Sequence, residues 1–351
     1  MIVPIHLENQ TAVKYDVIID TLPKLLFNRK VVIVTNTTVS ALHLETLVSQ
    51  IESPELNVVT IADGEEYKTL ATVESILDEL FEHKLDRKSL LIALGGGVVG
   101  DMTGFTASLY QRGIGFIQVP TTLLSQVDAS VGGKTGVNNK YGKNLIGAFY
   151  QPEAVYIDTN FLKTLPKREF SAGIAEIVKM AVMFDESYFN FLCEADFREK
   201  KSLEAVIERS VSLKAEVVNL DEKESGIRAI LNYGHTFGHV VENETNYKKY
   251  LHGEAVSIGM VMANRLSVEL GLMSQSQSLL VENLLIKHDL PVDYVIEDVD
   301  VFYNKFFLDK KAANNKLKFI LSVGIGKHVM RDDIEASVLK KVLKSFSEKL
   351  N

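Results

Sequence analysis

The chain has 351 residues, 46% of them hydrophobic and 24% charged, which is an ordinary globular composition and enough length for two domains. Its formal net charge of −8 excludes general binding to nucleic acid or a membrane surface, so any bound anion must be held by a local cluster of Lys and Arg. A single cysteine, Cys193, excludes an internal disulfide framework and fits a reducing, cytoplasmic compartment. Set among apolar neighbours in YFNFLCEADF, it reads as a small buried hydrophobe. The opening MIVPIHLENQ lacks a basic region followed by an apolar core, so no signal peptide is expected. No apolar run approaches the roughly 18–20 residues of a membrane span.

Along the first half, β-branched runs alternate with amphipathic segments. VVIVT (31–35), NVVTI (57–61), SLLIAL (89–94), GFIQVP (115–120) and AVYID (154–158) are apolar enough to be covered on both faces. Between two of them, TLATVESILDELFEHKL (69–85) carries a helical period. This alternation predicts a Rossmann-like α/β domain with a parallel sheet over residues 1–160. Helical patterns then take over: REFSAGIAEIVKMAVMF, SLEAVIERSVSLKAEVVNL, GEAVSIGMVMANRLSVEL and SQSLLVENLLIKHDL. Only LKFILSV (317–323) reads as a strand there, so a mostly α-helical second domain is expected over residues 161–351.

LIALGGGVVGDMTGF (91–105) follows a strand and opens a helix, with GxGxxG at Gly95, Gly97 and Gly100. Such glycines let the backbone approach a pyrophosphate at a helix N-terminus. The acid usually found about 20 positions on is missing, because position 120 is proline, so a turn with close helix packing is the alternative. DASVGGKTGVNNKYGKNLIG (128–147) fits no Walker A register. It reads either as a solvated basic loop or as a phosphate or carboxylate clamp.

In the segment ending NYGHTFGH, Arg228, Asn232, His235 and His239 fall at i, i+4, i+7 and i+11. On one continuous helix, at about 100° per residue, they share a sector of roughly 60°. An amphipathic helix would carry Leu or Val on that stripe, and here it is wholly polar. From the residues alone, His235 and His239 could be metal ligands, an acid–base pair or core imidazoles. His252 opens LHGEAVSIGM immediately before another helix. Glu176 is a lone acid on the apolar pattern SAGIAEIVKMAV, with Lys179 one turn on. A buried acid is unfavourable unless paired or bound to a cation, which leaves an internal ion pair with Lys179 or a metal ligand. A catalytic zinc takes three protein ligands and keeps one open position.

The spaced motifs GGGVVGD, SVGGKTGVN, AEIVK, NYGHTFGH and HGEAV resemble the 3-dehydroquinate synthase family of the shikimate pathway, over about residues 30 to 325. The resemblance implies a homodimeric lyase that uses NAD and a divalent metal, Zn²⁺ or Co²⁺. It would convert 3-deoxy-D-arabino-heptulosonate 7-phosphate, a phosphorylated sugar acid, to 3-dehydroquinate and phosphate. It also splits the histidine pair. Glu176, His235 and His252 would hold the metal, and His239 would exchange protons. Gly95, Gly96, Gly97, Asp101, Thr121, Thr122, Lys143, Phe161 and Thr164 would contact NAD. Glu65 and Lys68 of DGEEYK match adenosine-ribose contacts, and Asn36 and Thr38 of VTNTTV match further NAD positions. The substrate positions are Arg112, Asp128, Lys134, Asn144, Lys179, Lys214, Arg228 and Asn232, with the family's late lysine falling on Lys310 or Lys311. Glu224 matches a proton acceptor, and Lys179, Arg228 and Asn232 join His239 among the catalytic positions.

The implied reaction oxidises the substrate transiently with NAD, eliminates phosphate, returns the hydride and closes the ring by an intramolecular aldol step. A divalent cation lowers the pKa of a bound water from about 15.7 to about 7, and a bound alcohol should respond similarly. The rivals are a related sugar-phosphate cyclase, a polyol dehydrogenase of the glycerol-dehydrogenase type, and a catalytically dead NAD-binding sensor. The dehydrogenase would accumulate NADH, whereas the synthase regenerates NAD in every turnover. Against the dehydrogenase, the Glu/His/His set and the GGKTG stretch favour the synthase; the related cyclase is harder to exclude by motif.

Overall fold

A computed structural model describes residues 1–6, 14–307 and 317–347. The chain forms two compact units, Met1–Pro166 with Arg198–Lys223, and Lys167–Phe197 with Glu224–Asn351.

The strands of the first unit are β1 (Ile2–His6), β2 (Lys14–Ile19), β3 (Leu25–Leu26), β4 (Val31–Asn36), β5 (Ile51–Glu52), β6 (Leu56–Ile61), β7 (Leu90–Gly95), β8 (Gly115–Pro120), β9 (Lys134–Asn139), β10 (Gly142–Phe149) and β11 (Ala154–Ile157). Seven of them make one sheet in the order β1-β2-β11-β8-β7-β4-β6. All neighbours are parallel except β1 and β2. Pro4 sits in β1, at the sheet edge, where a missing N–H is tolerated.

Four of the five predicted apolar runs lie inside this sheet as β4, β7, β8 and β11, whereas NVVTI forms the edge strand β6 and is only partly covered. Ile33 of β4 pairs with Val58 of β6 on one side and Ile92 of β7 on the other. Strand side chains alternate between faces. Val32, Val34, Leu91 and Ala93 therefore pack into one apolar cluster with Val73, Ile76, Leu80, Met102 and Phe105. Those partners come from α2 (Leu70–Glu82) and α3 (Gly97–Leu109). Val31, Ile33, Leu90 and Ile92 pack on the other face with Phe161 and with Leu47 of α1 (Thr37–Val48). Burying a side chain of this size stabilises by about 1.5–3 kcal/mol, which explains why both faces of the β-branched runs are covered.

The glycine-rich stretch 128–147, read above as a loop, contains the antiparallel hairpin β9–β10. Gly147 lies against Thr135 O so closely that a Cβ there would overlap it. Small residues let the two strands approach, and that same composition hid them from a β-branched pattern.

The second unit begins with α4 (Lys167–Phe184) and α5 (Glu186–Glu194). The chain then returns to the first unit in α6 (Lys200–Leu220), which packs on β1 and on the Ser125–Ala129 turn. The expected single boundary near residue 160 therefore differs from the division seen. The first unit runs through Pro166 and takes in Arg198–Lys223 as well.

The second unit resumes with α7 (His235–Glu244), α8 (His252–Glu269), α9 (Gln275–Lys287), α10 (Val299–Lys305), the hairpin β12 (Phe319–Ser322) and β13 (His328–Arg331), and α11 (Ala336–Lys344). β12 matches the predicted LKFILSV strand. β13 has no apolar run of its own and is only partly covered, so nothing marked it. Residues 253–264 of α8 are all buried, which makes α8 the central helix of this unit. Glu254 closes its start by accepting from Leu251 N at 2.8 Å and binding Arg168 of α4 through both carboxylate oxygens at 2.6 Å. Cys193 is only half-buried, not sealed as expected, and burial pushes its thiol pKa up. Among the described residues no helix is long and apolar enough to cross a membrane.

Candidate active site

The polar stripe does not lie on one helix. Arg228 and Asn232 fall in a tight turn, Ile227–Asn232, and α7 starts only at His235. Between them Gly234 takes φ +80°, in the left-handed region that favours glycine. A Cβ on Gly234 would also stand 2.8 Å from Met260 Cγ and 2.9 Å from Val256 O of α8. Close packing on α8 breaks the helix there. His235 and His239 remain one turn apart at the start of α7, with ring centroids separated by 5.6 Å.

Three elements of the second unit converge on Glu176 of α4. Its carboxylate is 0% exposed and makes an ion pair with Lys179, itself 2% exposed. His235 Nε2 lies 3.7 Å and His252 Nε2 3.8 Å from Glu176 Oε1. Lys179 engages Glu176 Oε2, while Glu176 Oε1, the oxygen the two imidazoles face, makes no hydrogen bond. A sealed carboxylate oxygen without a hydrogen bond, facing two imidazole nitrogens, fits a divalent cation with N and O ligands. Ligand atoms of Glu176, His235 and His252 all lie within 4.8 Å of one another. Both readings of the Glu176 pattern therefore coexist, an ion pair with Lys179 and a metal-ligating geometry.

Burial holds the His235 pKa well below its ordinary value, with Lys179, His252 and His239 adding to the effect. Its Nδ1 faces Tyr233 O at 3.2 Å. A proton on Nδ1 leaves Nε2 with a free lone pair towards Glu176. His239 is exposed, and its ring lies 6.3 Å from that of His252. Asn232 donates to Glu224 Oε1 at 2.7 Å, and Arg228 is 2% exposed.

In the first unit, β7 ends at Gly95 and α3 starts at Gly97. A Cβ on Gly95 would meet Val99 at 2.6 Å, and one on Gly100 would meet Gln118 Oε1 at 2.6 Å. These two glycines permit close packing, whereas a Cβ on Gly97 would meet only Ala129, at 3.4 Å. Thr121 N donates to Gly95 O at 3.0 Å, and the Thr122 methyl covers Gly96. The backbone at 95–97 thus forms an open helix N-terminus, a fit for a pyrophosphate.

Lys68 links the neighbouring groups. Its ammonium, on a residue 4% exposed, lies 2.6 Å from Asp101 Oδ2 and 2.5 Å from Asn144 Oδ1. Burial pushes the Asp101 carboxyl pKa up, with Lys68 opposing the shift. Glu65 accepts from Asn138 of the hairpin at 2.7 Å. Lys134 and Lys143 lie on that same hairpin, at the start of β9 and in β10. Lys214 pairs with Asp128, 2.7 Å from Oδ1 and 2.6 Å from the backbone oxygen. Arg112 is exposed, at φ +70°. Phe161 is buried and packs edge-on against His43, whose Nε2 lies 2.7 Å from Thr164 Oγ1, so at 161–164 the Phe161 ring faces protein. Lys310 and Lys311 lie outside the described residues.

Sequence reasoning missed two carboxylates. Asp63 accepts from Asn36 Nδ2 and from Thr38 Oγ1, each at 2.7 Å, and so ties the two VTNTTV positions together. Its position two residues before Glu65 was the available signal. Glu242 is 3% exposed, with Oε1 3.6 Å from His252 Nδ1. Its spacing three residues after His239 on α7 marked it as a neighbour of the histidines.

The family model described as 3-dehydroquinate synthase N-terminal matches residues 58–172, and that described as 3-dehydroquinate synthase C-terminal matches residues 173–312. A 3-dehydroquinate synthase of Sulfurovum sp. is 68% identical over 100% of both chains. That of Sulfurimonas denitrificans is 58% identical over 98% of this chain and 99% of its own. Among solved structures, 2-epi-5-epi-valiolone synthase from Streptomyces hygroscopicus, with NAD⁺ and Zn²⁺ bound, superposes with a TM-score of 0.87 at 28% identity, covering 97% of this chain and 99% of its own. A 2-deoxy-scyllo-inosose synthase complexed with carbaglucose-6-phosphate, NAD⁺ and Co²⁺ gives 0.85 at 25% identity, over 99% and 100%. With both halves of the family matched and full-length relatives at such identity, the chain belongs to the 3-dehydroquinate synthase family.

Proposed function

We propose that this chain is a 3-dehydroquinate synthase that uses NAD and one divalent cation. The observation that carries the reading is the sealed Glu176 Oε1, without a hydrogen bond, with His235 Nε2 and His252 Nε2 turned towards it. Family membership supplies the reaction, the conversion of 3-deoxy-D-arabino-heptulosonate 7-phosphate to 3-dehydroquinate and phosphate. Relatives of the same fold with NAD⁺ and Zn²⁺ or Co²⁺ bound support the cofactors. When present, the cation would acidify a substrate hydroxyl, and NAD⁺ would take and return a hydride.

The chain's own residues supply the rest. Glu176, His235 and His252 hold the cation, and the neutral imidazole of His235 suits that role. His239 is exposed, one turn away and outside the Glu176 set, so it exchanges protons with the substrate. Glu224, held by Asn232, is a second proton acceptor. Lys134, Lys214 and Arg112 of the first unit, and Arg228 and Lys179 of the second, are the cations that the resemblance assigns to the phosphate and carboxylate of the substrate, which accounts for anion binding by an acidic protein. The helix N-terminus at Gly95–Gly97, with Asp101, Lys68 and Thr122 beside it, holds NAD. We place the enzyme in the cytoplasm as a homodimer, on family resemblance and its single cysteine.

The test is incubation with the heptulosonate phosphate, a divalent cation and catalytic NAD⁺. Phosphate should be released over many turnovers with no net change in absorbance at about 340 nm, because the hydride is returned. Accumulating NADH without phosphate release would replace this reading with a polyol dehydrogenase. Turnover of glucose 6-phosphate alone would replace it with a related cyclase.

A further inference from the structure

We propose that Glu242 is a positioning residue, the carboxylate that orients the ring of His252 for the cation. The inference rests on the reading of Glu176, His235 and His252 as metal ligands. The His252 ring stands between two buried carboxylates. Its Nε2 lies 3.8 Å from Glu176 Oε1, and its Nδ1 lies 3.6 Å from Glu242 Oε1. An imidazole that gives its Nε2 lone pair to a cation must carry its proton on Nδ1. An anionic acceptor beside Nδ1 selects that tautomer and fixes the plane of the ring.

His235 meets the same requirement by another route. Its Nδ1 faces Tyr233 O at 3.2 Å, and Tyr233 is fully buried with its hydroxyl donating to Asn264 at 2.5 Å. Both histidines therefore present Nε2 to Glu176 and Nδ1 to an acceptor. The difference lies in what each ring needs. His252 is the first residue of α8, and its side chain is 35% exposed against 12% for His235. A more loosely held ring gains more from a charged acceptor than from a carbonyl. At 3.6 Å the Glu242 pair is an ion-pair distance apart and longer than a hydrogen bond. Cation binding at Nε2 makes the Nδ1 proton more acidic, so the contact should shorten on loading.

The same atoms offer a second arrangement, since His239, Glu242 and His252 also have ligand atoms within 4.8 Å of one another. In that case Glu242 would ligate a second cation, and stoichiometry separates the two.

The experiment strips the full-length protein with a chelator and titrates it with Zn²⁺ against a chromophoric competitor, for the parent, Glu242→Gln and Glu242→Ala. The parent should bind one ion. Glu242→Gln keeps an acceptor but loses the charge, and its affinity should fall about 10-fold; Glu242→Ala should lose up to about 100-fold. The visible spectrum of the Co²⁺ form should change in both variants, while the NAD⁺ dissociation constant and the unfolding midpoint of metal-free Glu242→Gln stay at parent values. Because Gln preserves volume, that variant decides the matter if Glu242→Ala fails to fold. Unchanged zinc affinity and an unchanged Co²⁺ spectrum in Glu242→Gln would overturn the inference. So would two ions in the parent with one lost in the variants. A parent that binds no zinc would instead remove the Glu176–His235–His252 reading itself.

Discussion

Lys179 pairs with Glu176 one turn before it on α4, and both side chains are sealed from solvent, at 2% and 0% exposure. Without a cation, the ammonium is the charge that compensates the buried carboxylate. Removing one partner of a buried ion pair costs about 3–5 kcal/mol, because the other is left uncompensated. Lys179→Met should therefore destabilise the metal-free protein by that amount in urea unfolding. Zinc restores a positive charge beside Glu176, so the loss should be smaller in the zinc-loaded protein. Equal losses in the two states would contradict a shared role for Glu176.

The two histidines of NYGHTFGH should separate by experiment. His235→Ala removes a nitrogen facing Glu176, and the purified protein should retain no stoichiometric zinc. His239→Ala touches an exposed ring outside the Glu176 set and should keep its zinc while kcat falls about 10²–10⁴-fold, the usual contribution of a general acid or base. Metal analysis decides, and equal zinc loss in both variants would contradict the split.

Lys68 holds Asp101 and Asn144 together, at 2.6 and 2.5 Å. The first residue belongs to the start of α3 and the second to the β9–β10 hairpin, so on the roles that the family resemblance implies one ammonium would fix a nucleotide group and a substrate group at once. Lys68→Met should raise both the NAD⁺ dissociation constant and the substrate KM, each by about 10-fold or more, since a charged hydrogen bond is worth about 1.5–3 kcal/mol. A change in only one of the two constants would contradict the joint role.

Acid should weaken the second unit through His288. Burial pushes its pKa down to about 4 from 6.5, with Lys287 adding to the shift, and its ring stacks on Phe197 at 4.7 Å. Between those values the unfolded chain binds more protons than the folded one, so stability rises with pH. The His288 contribution is complete above about pH 6.5 and is lost as the pH falls towards 4. One pKa unit is worth about 1.4 kcal/mol. Allowing for the partial exposure of the ring, the loss should be about 1–2 kcal/mol. His288→Phe keeps the stack and should flatten urea-unfolding stability across this window. An identical pH slope in the variant would contradict the assignment.

Much of the fold was legible because its central strands are covered on both faces. Val31–Val34 of β4 and the runs of β7 and β8 carry a signal that needs no knowledge of their neighbours. The β9–β10 hairpin was illegible because its strands approach through Gly136 and Gly147, residues that propensity assigns to loops. The helix break at Gly234 was also hidden. A single glycine inside a helical period is tolerated, and only the packing of α8 against it forces the left-handed turn. At the site, Glu176 and His235 stood out as polar residues where apolar ones belong and His252 as the residue opening LHGEAVSIGM, and the family resemblance joined the three. Glu242 did not, since a glutamate on a helix reads as a solvated residue until packing seals it. The return of α6 to the first unit depends on long-range contacts that no local pattern encodes.

The central claim is that Glu176, His235 and His252 grip one divalent cation. Anomalous diffraction at the zinc absorption edge, on crystals of the zinc-loaded protein, tests it most directly. The expected result is a single strong peak at roughly 2.0–2.2 Å from a Glu176 oxygen and from the Nε2 atoms of His235 and His252. A zinc peak held by other residues, or none there at saturating zinc, would contradict it.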